Sequence, residues 1–289
     1  MVAAAALTQN TRMNRKIALR DFLTFHRSRL SPGRMGLPVH GPRRVAGLRR
    51  EEVAALASVS VDQYIRLERG HTSLVSDTVV DAVAGALALT PGERRYLHAL
   101  AQRPMTATPT RAGDEGVRDS QQHVLDSLRD SPAYVVGRNG AIVAWNRLAA
   151  RVFFDFPRIA PRDRSLGRLM FTHPRARSLF LDWEGSAREI VAYLRTETAR
   201  RPHDAELASH VGRLLEASPD FRRLWTTQFT FDNAREPSRL AYPALGTTLR
   251  LTWEAFEPTD SADAWMVIYT AAEDSASAAA LRRMASSPC

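Results

Sequence analysis

The stretch that decides the fold is Arg50–Gly70, "REEVAALASVSVDQYIRLERG". Its apolar residues keep helical spacing up to Ala57, pause at Ser58-Val59-Ser60, and then resume. The first short helix, Glu51–Ala57, turns Val53, Leu56 and Ala57 inward, and the second turns Tyr64 and Leu67 inward. Ser60 is placed to cap the second helix. Ala54 and Ala57 are small enough to let two short helices cross closely at a steep angle. That arrangement is a helix-turn-helix, whose second helix stands clear of the core so that its outer face can enter a DNA major groove.

The outward residues have the chemistry for it. Ser60, Val61, Asp62, Gln63 and Arg66 are the candidate base readers. Glutamine can pair with adenine, arginine with guanine, and aspartate can accept from cytosine. Arg43, Arg44, Arg49, Arg50, Arg69, His71 and Thr72 surround them as candidate phosphate contacts, which set register rather than sequence. The competing reading is a plain helical hairpin with solvated charges.

Charge distribution weighs against that reading. The 289 residues carry a net charge of +9, from 40 basic and 31 acidic side chains. Residues 1–105 hold 16 of the basic and only 8 of the acidic ones, so nearly all the excess lies in the first third. Segregation of this kind marks a polyanion-binding module joined to an electrostatically ordinary one. The only cysteine is Cys289, which leaves no internal disulfide and no thiolate metal cluster. No run approaches the about 18 apolar residues of a membrane span, and the opening "MVAAAAL" lacks the basic start of a signal peptide. The expected compartment is the cytoplasm.

Around the core motif, residues 1–15 read as disordered and residues 16–103 as one all-α domain of about five helices. Ile17–Leu30 is its first helix, stopped by Ser31-Pro32-Gly33. Ser76 caps a later helix, and Thr90-Pro91-Gly92-Glu93 supplies a cap, an N1 proline and an N3 carboxylate for the next. Residues 104–118, rich in proline and small residues, read as a linker. Residues 119–272 read as an α+β domain, and 273–289 as a flexible tail. Within the second domain, Arg138-Asn139-Gly140 joins two short β runs in a tight hairpin, with Asn146 capping the helix that follows. Helical segments at Arg147–Phe154, Ala187–Arg201 and Ala205–Ala217 precede β patterns at Thr226–Phe231, Ser238–Tyr242, Thr247–Ala255 and Ala264–Thr270.

Gly47–Gly70, "GLRREEVAALASVSVDQYIRLERG", resembles the xenobiotic-response-element (XRE) helix-turn-helix family of bacterial transcriptional regulators. "AWNRLAA" (Ala144–Ala150), "HPRAR" (His173–Arg177), "DWE" (Asp182–Glu184) and "SPDFRRLW" (Ser218–Trp225) are similar to the branch that carries a C-terminal MmyB-like ligand-binding domain. The resemblance implies a PAS-like α+β fold for the second domain, a curved sheet with helices over one face. It also implies a fatty-acid-like or other small apolar ligand. Two departures stand out: Thr226-Thr227-Gln228-Phe229 replaces a histidine-containing stretch, and Leu240-Ala241-Tyr242-Pro243 replaces a Phe-x-His-Pro element.

Trp145, Phe171, Tyr193, Trp225 and Trp253 are the candidate pocket residues, although aromatic side chains more often fill cores. Asp182 beside Trp183 is expected to cap the Ala187 helix, with anchoring of a ligand as the alternative. His203, Asp204, Glu206 and His210 are the one compact group of metal-ligand types, and their spacing fits no standard site, so no metal and no cofactor is expected. Catalytic signatures are absent: there is no Gly-x-Ser-x-Gly elbow, phosphate-cradling glycine loop or His-Glu-x-x-His. The expected function is a ligand-responsive, non-enzymatic regulator that binds a palindromic operator as a homodimer. The alternatives are a DNA-binding protein whose second domain serves only dimerisation or partner docking, and an enzyme carrying an autoregulatory DNA-binding domain.

Overall fold

The computed structural model describes residues 2–38, 47–72, 75–102, 117–226, 237–242, 246–257 and 264–286, with side chains from residue 15 onward. The chain forms two compact units. The first comprises Met1–Ala107 with Ala192–Ala208 and Leu224–Asn233, and the second Thr108–Val191, Ser209–Arg223 and Ala234–Cys289.

Five helices build the N-terminal part of the first unit: α1 (Val2–Arg29), α2 (Arg50–Leu56), α3 (Val61–Glu68), α4 (Asp77–Ala86) and α5 (Pro91–Ala101). The helix α1 starts at Val2, within the segment expected to be disordered, and the alanines at positions 3–6 are the strongest helix formers available. Leu19, Phe22 and Leu23 of α1 meet Val53, Tyr64, Leu67, Val83 and Leu97 in one buried core. Three ends are capped as the sequence expects, by Ser60 at α3, Ser76 at α4, and Thr90 with Glu93 at α5, and at α3 Gln63 adds a capping box that the sequence reading did not assign. The C-terminal end of α5 is held differently. Arg15 reaches from α1 to donate to the carbonyls of Leu100 (3.0 Å), Ala99 and Gln102, giving a cationic cap to a terminus whose last carbonyls would otherwise lack partners.

The second unit is built on a five-stranded antiparallel sheet of order β2-β1-β5-β4-β3, where β1 is Ala133–Val136, β2 Ile142–Trp145, β3 Ser238–Tyr242, β4 Thr247–Phe256 and β5 Trp265–Thr270. The turn between β1 and β2 places Asn139 at φ 60° and Gly140 at φ 75°, the left-handed region that this Asn-Gly pair tolerates. Helix α6 (Asp119–Ser127) covers one face of the sheet through Leu125, which packs with Ala133, Val135, Ala144 and Met266. Between β2 and β3 the chain runs through α7 (Arg147–Val152), α8 (Leu166–Thr172), α9 (Arg175–Leu179), α10 (Trp183–Arg200), α11 (Ala205–Ala217) and α12 (Pro219–Thr226). This is the expected multidomain architecture: an all-α helix-turn-helix part and an α+β part of PAS-like order.

Three further expectations change. The tail is ordered as α13 (Ala276–Ser286), with Ala280 and Leu281 buried. Its Ser277 hydroxyl accepts from the Arg250 N–H at 2.9 Å, so the second domain extends past residue 272. The β pattern at Thr226–Phe231 begins on a residue that closes α12, and the rest of it lies outside the described residues. The helices α8, α9 and α12 arise in stretches that the hydrophobic pattern alone did not separate. The 104–118 linker falls almost entirely outside the described residues.

Asn146 does more than cap α7. Its carbonyl oxygen accepts from the N–H groups of Ala149 (2.8 Å) and Ala133 (3.1 Å), while its amide donates to the carbonyls of Leu128 (2.9 Å) and Ser131 (2.8 Å). One buried side chain therefore ties the α6–β1 connection to the start of α7. Tyr242 holds the other end of α7: its hydroxyl lies 3.0 Å from the Val152 carbonyl and also contacts that of Arg151.

Candidate nucleic-acid interface and effector domain

The two short helices α2 and α3 are joined by Ala57–Ser60, and the turn is made without glycine. Ser58 takes the left-handed conformation, φ 54°, while its N–H reaches the Ala55 carbonyl at 3.1 Å and the Val59 N–H reaches that of Ala54 at 3.0 Å. The inner residues Val53, Tyr64 and Leu67 have no exposed surface. On the other side of α3, Ser60, Val61, Asp62, Gln63 and Arg66 are all exposed, Val61 by 42%. A buried inner face and an open outer face are what a helix offered to a groove requires.

Arg49, Arg50, Arg69 and His71 are exposed around this helix and Thr72 is half-buried; Arg43 and Arg44 lie outside the described residues. Two of the candidate readers already have local work. Gln63 Oε1 accepts from the Ser60 N–H at 2.9 Å, and Ser60 Oγ accepts from the Gln63 N–H at 3.1 Å. This capping box occupies the oxygen that Gln63 would need for two-point contact with adenine, leaving its amide N–H groups for a base.

Sequence reasoning missed Glu68, the centre of the motif's electrostatics. Its side chain is 2% exposed. One carboxylate oxygen takes Arg50 Nε at 2.5 Å, while the other takes the Thr24 hydroxyl at 3.1 Å and lies 3.5 Å from Arg27. The hydrogen bond to Glu68 is the main reason the Arg50 guanidinium sits above its ordinary pKa. Two of the five N–H donors of Arg50 are engaged in this way and the side chain stays 53% exposed, so the remaining donors are free to meet a phosphate. Burial with the Glu68 charge pushes the Tyr64 phenol far above its usual range. The signal was present in "LERG": a glutamate at the end of an otherwise apolar inner face has to be buried with a partner.

In the second unit the candidate pocket aromatics do not form one wall. Trp145 packs on Phe156 (5.2 Å) under the Arg164 guanidinium, and Trp253 pairs in register with Tyr269. These two border a cluster of Tyr134, Phe153, Phe156 and Tyr269 on the sheet face opposite α6. Phe171 belongs elsewhere, edge-on to Trp183 and Phe221. Tyr193 and Trp225 fall in the first unit, where Arg195 lies over the Trp225 ring at 5.3 Å. Asp182 caps α10 by accepting from the Gly185 N–H at 3.0 Å. His210 is buried, with Nε2 making no hydrogen bond among the described groups, and desolvation first, then Arg213 and Arg168, lowers its pKa to about 4. No group of three or more metal-ligand side chains is found among the described residues.

Family models place both parts. One described as a helix-turn-helix domain matches residues 34–97, and one described as the MmyB-like transcription regulator ligand binding domain matches residues 117–284, more than half of the chain. The chain belongs to the MmyB-like transcription regulators. An MmyB-like regulator joins a DNA-binding helix-turn-helix to a ligand-binding domain, and both families are regulatory rather than enzymatic. The protein is thus a ligand-responsive transcription regulator, with DNA and a small-molecule effector as its partners. No curated protein matches the chain. Among the described residues no helix is long and apolar enough to cross a membrane.

Proposed function

We propose that this regulator acts in the cytoplasm and binds a palindromic operator as a homodimer, each subunit reading one half-site with Ser60, Val61, Asp62, Gln63 and Arg66. One such module spans only a half-site, and two-fold symmetry supplies the second. Arg43, Arg44, Arg49, Arg50, Arg69, His71 and Thr72 hold the phosphates on either side. The observation that carries the reading is the open, polar outer face of α3 set against its fully buried inner face. The effector is a small molecule with an apolar body of fatty-acid-like character, held in the second domain. It acts by binding more tightly to one arrangement of the two recognition helices than to the other.

The test is selection of operator sequences from random duplex DNA, followed by affinity measurement at several salt concentrations. Arg66→Ala relaxes base preference at one position of each half-site, whereas Arg43→Ala weakens binding to every sequence and flattens its salt dependence. Equal losses on selected and random DNA for both variants would remove the division of roles. A monomer on a single half-site would remove the palindrome.

A further inference from the structure

The C-terminal end of α3 carries a cation that belongs neither to the base readers nor to the arginines around them. Lys16 is the only lysine in the chain, and it lies on α1. The tertiary structure lays it on the backbone just past the recognition helix. A β-carbon at Gly70 would fall 2.6 Å from Lys16 Cγ, 2.9 Å from its Cβ and 3.1 Å from its Cα. The missing side chain of Gly70 is therefore needed twice. Its φ of 73° is left-handed and ends α3, with the Gly70 N–H on the Leu67 carbonyl and the His71 N–H on the Arg66 carbonyl, both at 2.9 Å. It also leaves room for the Lys16 stem.

Packing of an aliphatic stem accounts for the methylenes of Lys16 and not for its charge. Lys16 is exposed and has no hydrogen-bond or ion-pair partner among the described residues. The acidic groups that follow it on α1 and close α3 are already engaged, Asp21 with Arg20 at 3.2 Å and Glu68 with Arg50 and Arg27. Arg69 and His71, on either side of Gly70, and Arg66 one turn earlier are likewise exposed and without an acidic partner among the described residues. Cations gathered without counter-charge repel one another in the free protein, and a polyanion relieves that repulsion. The geometry of α3 places the polyanion. Its eight residues span about 12 Å, which is the width of the major groove. With Val61, Asp62 and Gln63 of the first turn at the base edges, the other end of α3 emerges at the level of the flanking phosphates.

We propose that Lys16 is a phosphate contact of the DNA complex, seated by Gly70 at the exit of the recognition helix, so that the footprint of each subunit includes the first helix of the fold. Its ammonium supplies a point charge that fixes register and carries no base preference. This inference rests on the reading of α3 as the base-reading helix. It adds a partner for α1, a backbone phosphate beside the bases that α3 reads.

The test uses the full-length protein with a duplex selected from random sequence and a pooled random duplex of the same length. Lys16→Met keeps a stem of similar length without the charge. Loss of one phosphate contact lowers the slope of log affinity against log salt by about 0.9. Lys16→Met therefore binds both duplexes about eightfold more weakly than the wild type at about 0.1 M salt, and nearly as tightly at about 1 M. Base preference is unchanged, and Lys16→Arg recovers the wild-type slope. Because the chain has no other lysine, acetylation with an amine-selective reagent reports the same group directly. Mass spectrometry of the Lys16 peptide shows slower modification of the wild-type protein on saturating DNA. If Lys16→Met keeps the wild-type slope, whatever its affinity, or if DNA leaves the acetylation of Lys16 unchanged, the contact is overturned and α3 still reads the groove. If the wild-type protein shows no salt-dependent affinity for either duplex, the reading of α3 falls as well.

Discussion

Replacing Glu68 by alanine removes a carboxylate that the helix-turn-helix has enclosed with three partners. The cost follows from where each partner is left. Arg50 is 53% exposed and regains water, so loss of that pair costs about 0.5 kcal/mol. Thr24 loses a hydrogen bond to a charged acceptor, about 1.5 kcal/mol. Arg27, only 12% exposed, keeps its bond to the Leu48 carbonyl at 2.6 Å but loses its nearest counter-charge, about 1–2 kcal/mol. The combined loss is about 3–4 kcal/mol, within the range for breaking a buried ion pair. The chain has two units, so one global unfolding curve is the wrong assay. Amide hydrogen exchange on peptides covering residues 50–70 reads the local opening of α2 and α3 directly. Protection there falls by about 150-fold or more for Glu68→Ala, taking about 1.4 kcal/mol per factor of ten, while peptides from the β-sheet are unchanged. A fall of less than about threefold would refute the view that Glu68 holds the motif together.

Further outcomes follow from individual side chains. Ser58→Gly relieves a left-handed serine in the helix-turn-helix turn and slows exchange of α2 and α3 by about 0.5–1 kcal/mol, whereas Ser58→Val speeds it. Asn146→Ala strands two N–H groups and two carbonyls and destabilises the second unit by about 3 kcal/mol in urea titrations followed by tryptophan fluorescence. His210 stays neutral in the folded chain down to about pH 4, while in the unfolded chain it takes a proton near 6.5. Its contribution is therefore complete above pH 6.5 and is lost as pH falls from 6.5 to 4, amounting to about 3 kcal/mol. The same titrations at stepped pH should show a shallower acid decline in His210→Gln.

Features set by neighbours in the chain were legible in the sequence, because their physics is local. The periodicity of Arg50–Gly70 specified two helices and their inner faces, and Ser60, Ser76, Thr90, Asn146 and Asp182 announced helix starts by their own hydrogen-bonding reach. The Asn139-Gly140 turn and the limits of β3 were likewise written within a few residues. Family motifs spread along the chain carried the rest of the architecture. Glu68, by contrast, gains its role from Thr24 and Arg27 on α1 and Arg50 on α2, which no local pattern connects. The order of α13 depends in the same way on Arg250, which is distant in sequence.

The sequence by itself therefore determined the two helices of the motif, the capped helix starts and which side of α3 faces outward, since propensity, capping and periodicity act over a few residues. Only the tertiary structure decided which charges are shielded from water and by whom. It brought Glu68 to its arginines and set the hydroxyls of Tyr134 and Tyr269 against each other from strands more than a hundred residues apart. The physical reason is that desolvation depends on every atom that crowds a group, and those atoms come from anywhere along the chain.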